Sequence, residues 1–504
     1  MTALTRDRLL NVLVIGAPTL VAVALCLYEI TARSIYLDES ATIAVISQHG
    51  DALGAALAHE GGSMLVYYLL MHVLTQVFGD SQFVLRFPSA LAAGTAAALV
   101  TVLARRLFDR DVAFASGLLF AVSLSLVFWG QTARGYAILI ACTAGSFLAF
   151  ATLLESRDAS WRVWLAYVAL TAGAVYVGLE AALIVPAQLV VLCWHRDKWR
   201  RAVSGAAAAG ACCIPLAVLA LERGSGQLYW VPPPSFNIAK QIAQGLASAG
   251  LQPHFYTSTG HALMLVTAVL LVAACVRVLA ARFTSGEFDW RLMLLLSWLV
   301  VPCALILFIS LVGQSIFQPR YALMSLPPVS LLLAWTIVNR RLPRALVVIA
   351  MGGLLALRAL QVAPAYGVSL ENWRTASHYV MARAMTGDCM AFYPSDARVA
   401  FKYYVPRGEN PPPLVLPAVP WSVEPRDLEQ YETLSASQLS GLRTRCSRVW
   451  LVFSHEGSPF GTPLSRVHFR QLVALRAGLA ANFPVQMATP YATRAKLDII
   501  LFAR

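Results

Sequence analysis

Over the first 363 residues, apolar positions fall in continuous blocks separated by short polar turns. The blocks lie at 9–30, 84–104, 112–130, 134–154, 162–178, 180–194, 202–221, 262–282, 292–313, 319–338 and 344–362. Most approach the roughly 20 residues that a helix needs to cross the hydrocarbon core. The pattern therefore predicts about eleven membrane-spanning helices, with the fifth and sixth short and poorly separated. The run 64–78 is different, because Tyr67, Tyr68, His72, Thr75 and Gln76 interrupt its apolar character. It reads as an amphipathic helix lying at the interface. After residue 363 the blocks stop. Pro411, Pro412, Pro413, Pro417 and Pro420 mark the change, and strand-like runs at Cys389–Tyr393, Arg448–Phe453 and Leu497–Phe502 alternate with helical patterns near Trp373–Met385 and Val467–Asn482. That alternation predicts a small α/β domain. The expected architecture is a polytopic α-helical membrane protein. Its membrane module is 1–363, with a first outer loop 31–83, and an α/β domain follows at 364–504.

Composition agrees with burial in lipid. The 504 residues are 58% hydrophobic and only 13% charged, whereas a soluble domain is about 25% charged. A net charge of +13 raises nucleic acid as a partner, but the basic residues are distributed as membrane topology requires. With the N-terminus cytoplasmic, the inner turns hold Arg105, Arg106 and Arg110, then Arg157 and Arg162, then Arg196, Lys198, Arg200 and Arg201. Arg282 and Arg291 follow, then Arg340, Arg341 and Arg344. The opposite loops hold isolated basic residues such as Arg33, Arg86, Arg223 and Lys240. This asymmetry is the positive-inside pattern, so the bilayer is the partner and nucleic acid is not. Arg6 and Arg8 precede an apolar run too long for a cleaved signal peptide, so it reads as a retained anchor. An odd number of spans then places the tail outside a plasma or inner membrane. Of nine cysteines, Cys389 and Cys446 lie in that tail. In an oxidising compartment they are a candidate disulfide; the other reading is two unrelated buried thiols.

The candidate chemistry sits in the outer loops. Just past the first apolar block comes Tyr36-Leu37-Asp38-Glu39-Ser40, and later in the same loop His59-Glu60-Gly61-Gly62. Adjacent acids suit a solvated helix start. They also suit a base or a metal ligand at the membrane surface. Two later corners carry an arginine beside a tyrosine: Gln131-Thr132-Ala133-Arg134-Gly135-Tyr136 and Gln318-Pro319-Arg320-Tyr321. A lone arginine at a helix end usually snorkels to headgroups. Several on one face suit a phosphate, which the planar guanidinium fork fits. No glycine-rich phosphate loop is present, so no nucleotide site is expected.

The ordered set of motifs resembles the GT-C class of lipid-phosphate-sugar glycosyltransferases, family 39 and its relatives, which include protein mannosyltransferases and lipid A aminoarabinose transferases. The resemblance runs through Leu37-Asp38-Glu39, Gly62 to Leu70, Leu85-Arg86-Phe87-Pro88-Ser89-Ala90 and Arg105-Arg106-Leu107-Phe108. It continues through the Arg134 and Arg320 corners to Asn372-Trp373-Arg374 and Gly387-Asp388. It implies transfer of a sugar from a polyprenyl-phosphate donor to a cell-envelope acceptor at the outer face. Asp38 would be the catalytic base. Glu39, His59, Glu60, Arg86, Arg134, Tyr136, Arg320 and Tyr321 would bind substrate. A divalent ion, Mg2+ or Mn2+, is the one cofactor implied, with Asp38 as its candidate ligand. The sequence departs from many relatives at two places. Glu60-Gly61-Gly62-Ser63 stands where they have His-Pro-Pro or Lys-Pro-Pro, and Thr132 stands where they have Glu. Two other classes fit parts of the pattern. A lipid or solute transporter would show internal repeats and central charges, but no repeat is found and Glu180 is the clearest embedded charge. An inactive envelope-assembly protein would fit the two departures.

Overall fold

Backbone amides in lipid must pair within their own segment, which leaves helices as the form for isolated apolar runs. A computed structural model of the chain is helical at all eleven runs. The structure describes residues 3–155, 160–224, 228, 230–251, 257–285, 289–338, 342–423, 431–491 and 497–504. Arg157, Arg340 and Arg341, counted above among the basic turns, lie outside these residues.

Six described helices are long and apolar enough to span a membrane: Leu9–Leu27, Gln82–Leu107, Tyr136–Glu155, Ser258–Phe283, Trp290–Val312 and Arg344–Ala365. Two more expected spans are bent pairs. Arg110–Ala121 meets Leu124–Gly130 at 57°, and Trp199–Cys212 meets Ile214–Arg223 at 51°. Pro215 opens the second half of the latter pair, a position where its missing N–H is tolerated but where the preceding helix cannot continue. The remaining expected spans are shorter: Trp161–Val177, Leu179–Cys193, and a 3₁₀ turn Pro319–Ser325 followed by Leu326–Ile337. The count by length is thus six, or eight with the bent pairs, rather than eleven uniform spans. Apolar composition runs unbroken across the proline and glycine positions that end a helix.

The exposed faces identify a multi-pass membrane protein. Leu265, Val269, Val272, Val276 and Leu279 form an exposed apolar stripe along Ser258–Phe283, at the spacing of one helix face. The short helix Leu65–Phe78 likewise exposes Val66, Leu69, Leu70, Val73 and Val77 while burying Tyr67, Tyr68 and Met71. Where spans end or break, side chains from other helices satisfy the carbonyls left over. Arg86 donates to the Ile30 carbonyl at 2.8 Å and Gln131 to the Tyr28 carbonyl at 2.6 Å, just past the first helix. Arg358 donates to the Leu119 carbonyl beside the bend after Ala121.

The chain forms two compact units: Met1–Ile30 with Glu60–Ala365, and Thr31–His59 with Tyr366–Arg504. The first part of the outer loop therefore folds with the tail. The second unit is built on five strands, β1 Asp388–Tyr393, β2 Leu414–Leu416, β3 Arg448–Phe453, β4 Val485–Tyr491 and β5 Leu497–Ala503, in the order β2-β1-β3-β5-β4. β1 pairs in parallel with β2 and β3; β5 runs antiparallel to both β3 and β4. Alternate residues face opposite layers. Cys389, Ala391, Val449, Leu451 and Phe502 pack toward helices Ala436–Arg445 and Pro463–Asn482. Met390, Phe392, Trp450, Val452 and Leu501 pack toward Trp373–Met381, Ala397–Tyr403 and Leu37.

Two features hold this unit together. Cys389 and Cys446 form a disulfide with Cα atoms 5.7 Å apart and a sequence separation of 57. Loop closure of that size contributes roughly 4 kcal/mol in the chain-entropy model. Cys389→Ser together with Cys446→Ser is therefore expected to lower the unfolding midpoint of the unit, read by thermal melting of the purified protein. In addition, Asp388, only 1% exposed, accepts from Arg448 Nε at 2.8 Å and Nη2 at 2.7 Å, Trp450 Nε1 at 2.8 Å and the Met385 N–H at 3.0 Å. Burial raises its carboxyl pKa, but these donors outweigh burial and hold it below the usual carboxylate range. A depressed folded value stabilises the fold above the unfolded carboxyl pKa of about 4, and that stabilisation is lost as pH falls through the folded value. Asp388→Asn is expected to cost about 3 kcal/mol at neutral pH and to flatten the loss of stability below about pH 4. Melting curves across pH 3–7 would show both effects, and an unchanged curve would contradict the assignment.

Candidate active site

The residues proposed from sequence divide between the two units. Asp38, Glu39 and His59 belong to the second; Glu60, Arg86, Arg134, Tyr136, Arg320 and Tyr321 belong to the first.

In the second unit, Asp38 is the second residue of helix Leu37–Ile46 and is half-buried, while Glu39 is fully buried. His59 is exposed in the last turn of helix Asp51–His59. The segment before Asp38 is bonded throughout to the start of the tail. Ser34 N donates to Ser369 Oγ at 2.9 Å, Ile35 N to the Tyr404 hydroxyl at 2.8 Å, and Leu37 N to Glu371 Oε2 at 3.1 Å. In return, Arg374 donates its backbone N–H to Ser34 Oγ at 3.1 Å and its Nη2 to the Thr31 carbonyl at 2.7 Å. Asn372 caps helix Trp373–Met381 by accepting from Thr375 N. The Asn372-Trp373-Arg374 motif thus begins one helix and holds the loop that begins another. Glu371 and Trp373, absent from the sequence-derived candidates, are buried here, and Trp373 Nε1 donates to Glu371 Oε2. His455, also absent from that set, places Nδ1 3.6 Å from Glu371 Oε1.

In the first unit, Arg134 Nη1 donates to the Tyr68 hydroxyl at 3.1 Å. Glu60 and Tyr136 also lie within electrostatic reach of that hydroxyl, so Tyr68 is the node that joins three sequence-derived residues. Its signal was present in the quoted Gly62–Leu70 motif but indistinguishable from an interfacial tyrosine. Trp129 packs on Tyr136 with ring centroids 4.3 Å apart. The turn that leads into this helix has Gly61 at φ 60°, Gly62 at φ 72° and Met64 at φ 57°. Proline, fixed near −65°, cannot adopt these angles, so this turn does not accept Pro-Pro at positions 61 and 62. A Cβ on Gly62 would also meet Leu216 Cδ1 at 2.5 Å. Arg320, at the start of the 3₁₀ turn, lies over the Trp230 ring at 4.5 Å and the Tyr321 ring at 5.7 Å. Its charge also reaches Glu180, the embedded acid noted from sequence. Arg86 is fully buried, and its Nη1 donates to the Ile30 carbonyl just past the first helix. Thr132 donates its hydroxyl to the Phe128 carbonyl at 2.8 Å, so its side chain is committed to its own helix end.

Asp38 is the candidate metal ligand. A divalent ion needs several hard ligands, yet among the described residues no three His, Cys, Asp or Glu side chains gather, and Glu39 beside Asp38 is buried. The described side chains therefore do not by themselves form a metal centre.

Residues 63–221 match the family model described as dolichyl-phosphate-mannose-protein mannosyltransferase. The resemblance read from the motifs therefore holds at the level of class. Among solved structures, ArnT from Cupriavidus metallidurans bound to undecaprenyl phosphate is similar at TM-score 0.57 and 12% identity, covering 97% of each chain. Its apo state gives TM-score 0.56 at 13% identity with the same coverage. The archaeal oligosaccharyltransferase AglB from Archaeoglobus fulgidus, in complex with an inhibitory peptide and a dolichol-phosphate, gives TM-score 0.55 at 12% identity over 96% of this chain and 73% of that one. At these identities the likeness is one of fold. No curated protein matches in sequence.

Proposed function

We propose that the protein is an integral-membrane glycosyltransferase. It takes a sugar from a polyprenyl-phosphate donor and passes it to a hydroxyl of a cell-envelope acceptor at the outer membrane face. The observation that carries this reading is the fold shared along 97% of both chains with ArnT, whose structure holds undecaprenyl phosphate, together with the mannosyltransferase model over residues 63–221. A lipid-borne donor also accounts for a chain with no nucleotide-binding motif. In this reading eleven apolar segments cross or enter the bilayer, the N-terminus is cytoplasmic, and the unit of residues 31–59 and 366–504 is extracytoplasmic. The Cys389–Cys446 disulfide supports that placement, since such bonds persist in oxidising compartments.

The chemistry is a single displacement. The Asp38 carboxylate takes the proton from the acceptor hydroxyl. The acceptor oxygen forms a bond to the anomeric carbon as the bond from that carbon to the phosphate oxygen breaks, and the configuration inverts. Polyprenyl phosphate leaves with the electron pair. The developing negative charge on the leaving phosphate needs preorganised cations, and Arg134 and Arg320 are assigned to it. Tyr68 orients Arg134 through the 3.1 Å bond, and Trp230 and Tyr321 flank Arg320. A deletion strain is expected to accumulate a polyprenyl-phosphate sugar and to lack one envelope glycan modification, read by mass spectrometry of lipid and glycan fractions. Identical fractions in deletion and parent would contradict the reading. A reporter active only outside the membrane, fused after Arg504, is expected to be active; activity of a cytoplasmic reporter alone would refute the topology.

A further inference from the structure

Helix Leu37–Ile46 begins without a local cap. Its preceding residue, Tyr36, supplies no side-chain bond to the first turn, although a Ser, Thr, Asp or Asn at that position ordinarily would. The cap comes instead from 334 residues away, where Glu371 Oε2 accepts from the Leu37 N–H at 3.1 Å. Glu371 is 2% exposed. A buried carboxyl group is costly unless it is hydrogen-bonded, and Oε2 of this one accepts from the Leu37 N–H and from Trp373. His455 Nδ1 stands 3.6 Å from the other oxygen. His455 is itself held in the left-handed region, at φ 52°, just past the end of β3. Leu37 packs into the same core as Trp373, Phe392 and Trp450. The residue after Leu37 is Asp38, and its charge adds to the rise that burial imposes on the Glu371 carboxyl.

Capping alone does not require this arrangement, because a small polar residue at position 36 would cap the helix start locally. The distant carboxylate does something that a local cap cannot. It ties the Tyr36–Leu37 peptide, one residue before Asp38, to Glu371, whose partner Trp373 packs in the core against the sheet. We infer that Glu371 is a positioning residue for Asp38, acting through the Leu37 N–H and held in place by Trp373 and His455. The inference rests on the assignment of Asp38 as base.

The test compares purified full-length Glu371→Ala, Glu371→Gln and Asp38→Asn proteins. The donor is the polyprenyl-phosphate sugar fraction extracted from cells lacking the protein. Glutamine keeps an oxygen that accepts from Leu37 and Trp373, so it is the conservative variant. Glu371→Ala is expected to lower kcat roughly 10- to 100-fold, the scale of a small misplacement of a reacting group, with donor KM nearly unchanged. Glu371→Gln is expected to recover most of that loss. Hydrogen exchange supplies a readout independent of activity. Amides at the start of Leu37–Ile46 should exchange faster in Glu371→Ala and near the parental rate in Glu371→Gln. An intact Cys389–Cys446 bond and a parental melting temperature show that the unit is folded. If Asp38→Asn is inactive while folded Glu371→Ala keeps parental kcat and exchange, the positioning role is overturned. If Asp38→Asn keeps parental activity, the base assignment fails, and with it the inference.

Discussion

Replacing Asp38 with asparagine is expected to lower sugar transfer by roughly 10²- to 10⁴-fold, the contribution typical of a general base. The asparagine is nearly isosteric and lacks only the basic oxygen, so the geometry of the helix start is kept. The cost to folding is small. Asp38 is half-exposed in the first turn of Leu37–Ile46, where an acid contributes about 0.3–1 kcal/mol through the helix dipole. A loss of that size does not unfold a unit held by a five-stranded sheet and a disulfide. The protein should therefore reach the membrane in parental amounts and bind donor with an unchanged KM. Near-parental turnover in Asp38→Asn would remove Asp38 from the reaction. Glu39→Gln is the control, because Glu39 is fully buried and is expected to affect stability more than the chemical step.

Arg134→Ala should produce the second large loss, about 10²- to 10³-fold in kcat/KM, the scale of removing one donor to a developing oxyanion. Arg134→Lys is expected to recover only part of it, since an ammonium supplies charge without the bidentate fork. Tyr68→Phe removes the acceptor of the 3.1 Å bond from Arg134 and should cost less than Arg134→Ala. The double variant should lose little beyond Arg134→Ala alone, because residues in contact do not contribute additively. Steady-state kinetics on the four proteins test this. Full additivity of Tyr68 and Arg134 would contradict the coupling, and parental kinetics in Arg134→Ala would contradict the phosphate role.

Much of the architecture was legible in the chain because lipid leaves few choices. Every apolar block became helix, since unpaired backbone polar groups cannot persist there. The ends of the spans were less legible. Pro215, Pro327 and Pro328 stand at the starts of Ile214–Arg223 and Leu326–Ile337, as proline's fixed φ allows, whereas Pro18, Pro88 and Pro302 lie inside helices that continue, so a proline in an apolar run does not by itself locate a break. In the tail, the three strands read from sequence are the inner ones, β1, β3 and β5, with largely continuous apolar character. The two that were missed are the sheet edges, β2 and β4. β2 has only three residues between Pro413 and Pro417, and β4 contains Pro490. Proline is confined to such edges within a sheet, and there it obscures the strand pattern.

The chemistry was legible only where it coincided with short motifs. Asp38, Arg134 and Arg320 stand in motifs that can be read along the chain. The bonds that orient them come from far away in sequence. Tyr68 and Arg134 are 66 residues apart, and Leu37 and Glu371 are 334 apart. Glu371 stands beside a recognised Asn372-Trp373-Arg374 motif, yet nothing in its local sequence distinguishes a buried carboxylate from a solvated one. The Pro-Pro motif expected before helix Leu65–Phe78 is replaced by left-handed glycines, a difference of backbone conformation that residue identity alone only hints at.

The central claim is that this protein moves a sugar from a lipid phosphate. Its most direct test is acceptor-dependent release of polyprenyl phosphate by the purified protein in vesicles. The vesicles carry the lipid-linked sugar fraction from deletion cells, and envelope material from those cells supplies the acceptor. Parental protein is expected to release polyprenyl phosphate in step with sugar gained by the acceptor, and Asp38→Asn to release roughly 10²-fold less or lower. Movement of intact lipid-linked sugar across the vesicle membrane, with no polyprenyl phosphate released, would contradict the account and identify a transporter instead.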